Sequence, residues 1–219
     1  MAQCHDRSPV LPSLNTTSLL RTIAGVGEPD ALPAFAAAHP EFAKLGDWAK
    51  SAPRTGRYAE ERFNGVNSFI FVDSSGADDV VRWSLLPAAQ PVALSAEELA
   101  KRGSDFLEQE IAQRVASAPQ RWTMVVTVAN PGDPTADPTE AWPANRRSIE
   151  VGTLVVQHVQ AERDGPCRDI NFDPTVLPFG IRTSDDPFPA ARSAAYAKSY
   201  DLRTAEAKDY PRTETGAKP

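Results

Sequence analysis

A chain of 219 residues is long enough to bury one sizeable core. Its formal net charge of −6 argues against a surface for nucleic acid or anionic membrane, and no basic run with interleaved aromatics is present. The longest apolar run falls far short of the roughly 20 residues a membrane span needs.

Met1 to Leu11 is polar and carries no apolar leader core, so a cytoplasmic, soluble chain is the expectation. Residues 1–24, with Pro9 and Pro12, read as an irregular entry segment. His5 there, beside Cys4, Asp6 and Arg7, reads as a solvated residue. Cys4 and Cys167 are too few and too far apart for a metal cluster, and reduced thiols are expected.

Residues 25–60 read as a helical insert. Pro29 to Ala38 and Glu41 to Lys50 are two short helices broken at His39-Pro40, because a residue before proline is pushed out of the helical region. Residues 61–160 hold the strands and one long helix. Arg62 to Asp73 and Val80 to Leu86 alternate β-branched and aromatic residues around Ser74, Ser75 and Gly76, which predicts a hairpin. Ser95 to Ser117 is the clearest helix. Ser95 and Glu98 form a capping box, and Leu99, Leu107, Ile111 and Val115 make one apolar face interrupted only at Gly103.

Arg121 to Val128 reads as a buried strand, and 130–145 as a polar, Pro-rich loop. Ile149 to His158 is the next strand, with Gly152 a bulge or a close approach. His158 has no partner ligand at metal spacing and reads as a surface residue. Strand candidates centre near Val66, Val80, Val125 and Val155, which with the helices gives an α+β chain. Gln160 to Ala190 is mostly a long loop, and such loops inside compact domains are usually functional.

The stretch SDDPFPAARSAAYAKSYDLRT, residues 184–204, carries the chemistry. Asp185, Asp186, Pro187 and Pro189 are start signals, and the alanines that follow are strong helix formers. They predict a helix from about Pro189 to Tyr200, extending towards Ala207. Helical spacing puts Arg192, Tyr196, Tyr200 and Arg203 on one stripe, beside side chains small enough for a flat ligand to approach. A fixed guanidinium beside a phenol favours the phenolate, a hard anionic ligand for ferric iron. A packed core tyrosine with an arginine stacked over it is the commoner outcome for such a helix on its own. Residues 208–219 form a charged tail expected to fray.

The run NFDPTVLPFGI, then SDDP, then ARSAAY resembles the catalase superfamily, in particular the shorter catalase-related haem peroxidases of bacteria. Three further tracts are similar to that family. LPAFAAAHPEF resembles its F-x-x-x-HPE pattern, and DPTEAWP its DPT-x-x-WP. RFNGVNSFIFVD resembles a barrel strand, with Ser68 at the family's serine and Phe69 where true catalases place a histidine.

The resemblance implies roles. Tyr196 would be the axial ligand of haem b iron, and Arg192 its hydrogen-bond donor. Arg203 would lie near a haem propionate and Phe172 against the haem face, with Phe188 and Tyr200 completing the cofactor contacts. It implies about four strands of a catalase-like antiparallel β-barrel with flanking helices, and a proximal haem helix closing a pocket segment at residues 161–207.

On this resemblance residues 1–219 form a single catalase-like domain lacking its first half, where the distal His and Asn would stand. The implied substrate is hydrogen peroxide or an organic hydroperoxide, with a small-molecule reductant and no nucleic-acid or membrane partner. A complementing N-terminal half or a homo-oligomer would supply what is absent. A haem-binding remnant without turnover and a purely structural fragment stay open beside the peroxidase.

Overall fold

The computed structural model describes residues 54–212, together with residues 33, 37, 47, 50 and 52. Pro33, Ala37, Asp47 and Lys50 are helical. The rest of the two early helices, the entry segment with Cys4 and His5, His39, and residues 213–219 lie outside the described part. No described helix is long and apolar enough to cross a membrane.

Six strands make one antiparallel sheet: β1 (Phe63–Asn64), β2 (Phe69–Val72), β3 (Asp78–Pro87), β4 (Gln120–Val128), β5 (Ser148–Val156) and β6 (Ile181–Thr183). Their order is β5-β4-β3-β2-β6, with β1 also paired to β3, and among the described residues the sheet is not closed into a barrel. The expected hairpin is present. Its turn is held by the Asp73 carboxylate, which accepts from the Ser75 and Ala77 amides, and by Gly76 at φ 86°.

The register stacks Val81 against Val128, Trp83 against Val126 and Phe69 against Val81 on one face of the sheet. Val81, Val126 and Val128 are buried there, and Phe69, Phe71 and Trp83 pack over them. Trp122 is buried on β4, and its indole N–H donates to the Glu61 carbonyl at 3.1 Å.

Arg62 to Asp73 is not one strand. Asn64 pairs with Ser84 and Phe69 with Val81, so residues 65–68 face only residues 82–83. Two extra residues must bulge out of the ladder. Gly65 makes this possible, because a Cβ there would lie 2.7 Å from the Trp83 indole while its N–H bonds the Trp83 carbonyl at 2.9 Å.

The long helix is also divided, into α1 (Ala96–Ala100) and α2 (Phe106–Ser117). The capping box starts α1 as expected. The break spans Gly103, whose backbone freedom weakens a helix interior, and Asp105 occupies the N-cap position of α2. Val115 is the buried residue of α2.

On β5 the register shifts between Met124 facing Gly152 and Val125 facing Glu150, which leaves Val151 as the extra residue. Gly152 therefore flanks a bulge and makes no close approach, since nothing lies within 4 Å of where its Cβ would be. β5 has an open outer edge with Ile149, Val151 and Leu154 exposed.

The 160–190 segment is less loop-like than its composition predicts. It holds a 3-10 turn at Pro166–Asp169, the short strand β6 on β2, and the start of α3 (Phe188–Glu206). Three residues of β6 are too few to show a period in sequence.

Gly65→Ala should cost about 1–3 kcal/mol in chemical denaturation, because its Cβ meets an indole with nowhere to go. Gly103→Ala, with nothing within 4 Å, should be neutral or slightly stabilising. In the 130–145 loop, the Asp133 carboxylate takes two 2.6 Å bonds from Arg146, which hold its pKa at about 2 against the opposing effect of burial. The unfolded value is about 3.9. The stabilisation this pair gives is therefore complete above the unfolded value and lost as pH falls through the folded one. Asp133→Asn should remove that acid-limb decline from a denaturation series.

Candidate functional site

α3 begins where the acids and prolines predicted, and continues past Tyr200 to Glu206. Asp186 does the work of an N-terminal cap. Its carboxylate accepts from the Phe188 amide at 2.8 Å, satisfying one of the donors a helix start leaves unpaired. Pro187 and Pro189 fit the first turn because proline has no N–H to waste there.

One turn further, Arg192 and Tyr196 meet on the same side of α3. Arg192 Nε donates to the Tyr196 phenol oxygen at 3.1 Å, and Nη2 of the same guanidinium donates to it as well. The guanidinium carbon stands 5.1 Å from the ring centroid. Tyr196 is half-buried and Arg192 exposed, flanked by exposed Ala194, Ala195 and Ala197. The phenol oxygen is thus the acceptor of a positive fork on a helix face with little side-chain bulk around it.

This pair is tied to the sheet through the bulge between β1 and β2. Asn67, buried there, receives Arg192 Nη1 on its amide oxygen at 3.3 Å and donates its amide nitrogen to Asp186 at 2.8 Å. One side chain therefore bridges the cap of α3 and the arginine one turn along. Neither Asn67 nor Asp186 is a site residue by sequence pattern. Asp186 carries only a helix-start signal, and Asn67 carries none, because its partners lie 119 and 125 residues away.

Tyr200 and Arg203 share the stripe with Tyr196 but are engaged elsewhere. The Tyr200 hydroxyl donates to the Asp169 carbonyl at 3.3 Å, and Arg203 Nη2 to the Ile170 carbonyl at 2.9 Å. The Arg203 guanidinium also lies 5.6 Å from the Tyr200 ring centroid. Its Nε is buried without a partner and stands in the wall of a cleft of about 470 Å³, beside Arg163, Arg168 and Tyr210.

Phe172 is 58% exposed and Phe188 half-buried. The residue after Phe172 fixes its tract to α3: Asp173 accepts from the Ser193 hydroxyl at 2.5 Å. That bond, with the Thr175 hydroxyl and amide, holds the Asp173 carboxyl below the usual carboxylate range. The structure therefore joins Arg192 and Tyr196 directly and gathers Phe172, Tyr200 and Arg203 around the same helix.

The donor set suits the cofactor that the sequence resemblance implies. A phenol oxygen held by a cationic fork, at an open and nearly flat helix face, is a fitting ligand for ferric iron in a porphyrin, as in catalase itself. The Arg203 Nε lacks a hydrogen-bond partner, although its guanidinium also faces the Glu162 carboxylate at 3.9 Å.

No protein-family model matches the chain. A catalase-related peroxidase of Synechococcus elongatus is 34% identical over 181 residues, which is 82% of this chain and 53% of that protein. A catalase-related peroxidase of Mycolicibacterium paratuberculosis is 34% identical over 147 residues, 67% of this chain and 47% of that protein. The chain thus spans about half the length of these relatives. Among solved structures, a fungal catalase superposes with a TM-score of 0.60 at 18% identity, over 68% of this chain and 32% of that one. At such identity the match speaks for the fold alone. Sequence and fold agree: over the half-length that it spans, the chain is similar to the catalase-related peroxidases and shares the fold of a catalase.

Proposed function

We propose that the chain holds haem b through the Tyr196 oxygen and serves the peroxide-consuming chemistry that its relatives are named for. Hydrogen peroxide or an organic hydroperoxide is the substrate of this reading, with a small-molecule reductant. The observation that carries it is the double donation from Arg192 to the Tyr196 oxygen on an open face of α3.

When bound, the haem would supply the redox-active iron. The residues of this chain do the rest. Tyr196 Oη is the ligating atom, and Arg192 offsets the negative charge that ligation requires there. Asn67 and Asp186 fix the direction of Arg192. Phe172 and Phe188 offer apolar surface beside the helix, while Tyr200 and Arg203 mark a polar rim suited to a propionate.

Cleaving a peroxide also needs a group that takes a proton from one oxygen and returns it to the other. His158, the one histidine among the described residues, follows β5 on the surface and hydrogen-bonds no residue of the Tyr196 face. This favours a second reading, in which the chain binds haem without turning over peroxide by itself. A complementing polypeptide or a second copy would then bring the missing group.

A haem titration of the full chain should give a Soret band shifted from that of free haem. Tyr196→Phe should weaken binding at least about tenfold, or roughly 1.4 kcal/mol. An unchanged affinity and spectrum in that variant would rule out the ligand assignment. Peroxide-dependent oxidation of a reporter dye by the loaded protein then separates the two readings.

A further inference from the structure

Asp186 is 4% exposed, yet its carboxylate accepts only from neutral groups, the Phe188 amide and the Asn67 side chain. Among the described residues it forms no ion pair. A buried charge in that position is costly unless an opposite charge lies near enough to offset it.

Two guanidiniums reach the residues beside it. Arg192 approaches through Asn67, whose amide oxygen takes one of its nitrogens at 3.3 Å and keeps the fork on Tyr196. Arg82, on β3, reaches the residue next to Asn67. It donates Nε to Ser68, the fully buried neighbour of Asn67, at 3.2 Å. Its Nη1 donates to the Glu140 carbonyl at 2.7 Å, and its Nη2 to the Pro134 and Asp137 carbonyls at 3.1 and 3.0 Å. The Trp142 ring lies 4.5 Å from the guanidinium carbon. Arg82 is therefore an immobilised cation. Burial pulls its pKa down, and Asp186 is foremost among the carboxylates that act against that pull.

We propose that Arg82 is the counter-charge of Asp186, and that by offsetting this carboxylate it leaves the Arg192 guanidinium to Tyr196. Arg82 is in this sense a positioning residue for the ligand pair. Without it, the buried carboxylate would draw the nearest mobile cation, Arg192, into a direct ion pair and away from the phenol. Asn67 separates the two because an amide can donate to the acid and accept from the base at once. The consequence for haem rests on the reading of Tyr196 given above; the orientation of Arg192 does not.

The test uses the full chain and two readouts. In the haem-free protein, the nuclear magnetic resonance signal of the Arg192 Nε–H is assigned with Arg192→Lys. Arg82→Gln should move that signal away from its position in the starting protein, while Arg82→Lys, which keeps the charge, should restore most of it. Removing the charge that needs offsetting should also rescue, so Arg82→Gln/Asp186→Asn should return Arg192 to Tyr196. In the haem titration, Arg82→Gln should weaken binding about tenfold, with little further effect when Tyr196→Phe is already present.

If Arg82→Gln lowers the melting temperature and leaves the Arg192 signal in place, Arg82 only anchors the 134–140 carbonyls and the proposal is overturned. A double variant that still loses the Arg192 signal overturns it too, including where Arg82→Gln alone does not fold. Should the starting protein take up no haem, the reading of Tyr196 falls, and the resonance experiment still decides the role of Arg82.

Discussion

A buried amide holds the candidate site together. Asn67 joins the capping carboxylate of α3 to the arginine that reaches the tyrosine, with its amide nitrogen and its amide oxygen both engaged. Hydrogen bonds of this kind are worth little net when made and cost far more when one partner is left alone in a dry place. The arrangement is therefore all or nothing. Either Asp186, Asn67 and Arg192 sit together, or a buried carboxylate and a buried amide are stranded.

That constraint reaches back into the sheet. Asn67 can face α3 only because the chain between β1 and β2 leaves the ladder, and it can leave there because Gly65 lets the backbone pass over Trp83. Ser68, next in line, is gripped by Arg82, which also gathers three carbonyls of the 134–140 loop. The Pro-rich loop, the bulge and the helix start are thus three distant pieces of sequence fastened around one short irregular stretch. Trp142 stacked on Arg82 and bonded to the Pro134 carbonyl at 3.0 Å locks the outermost piece.

How much of this could be read beforehand follows from how local each signal is. The Arg192–Tyr196 pairing is a property of one helix turn, so spacing alone placed both side chains together, and the structure bonds them. The capping box at Ser95 and the hairpin turn at Gly76 were equally local. The bulge at residues 65–68 was not, because the stretch from Arg62 to Asp73 reads by composition as one strand while the register slips by two. Nor was the break near Gly103, where an apolar period continues on both sides of residues that do not keep helical geometry. Asn67 was invisible for a plainer reason: nothing in a chain marks a polar residue whose partners arrive more than a hundred positions later. The naming of Tyr196 as an iron ligand came from resemblance, since geometry alone gives a tyrosine held by an arginine.

Holding an iron porphyrin and turning over peroxide are separate physical demands. The first asks for an anionic ligand, a charge to support it and a face free of bulk, and one helix braced against one sheet can meet all three. The second asks as well for a group that can take and return a proton. Among the described residues the sheet ends at β5, a nine-residue strand with exposed apolar side chains and no partner on its outer edge. An edge of that kind invites pairing with further polypeptide.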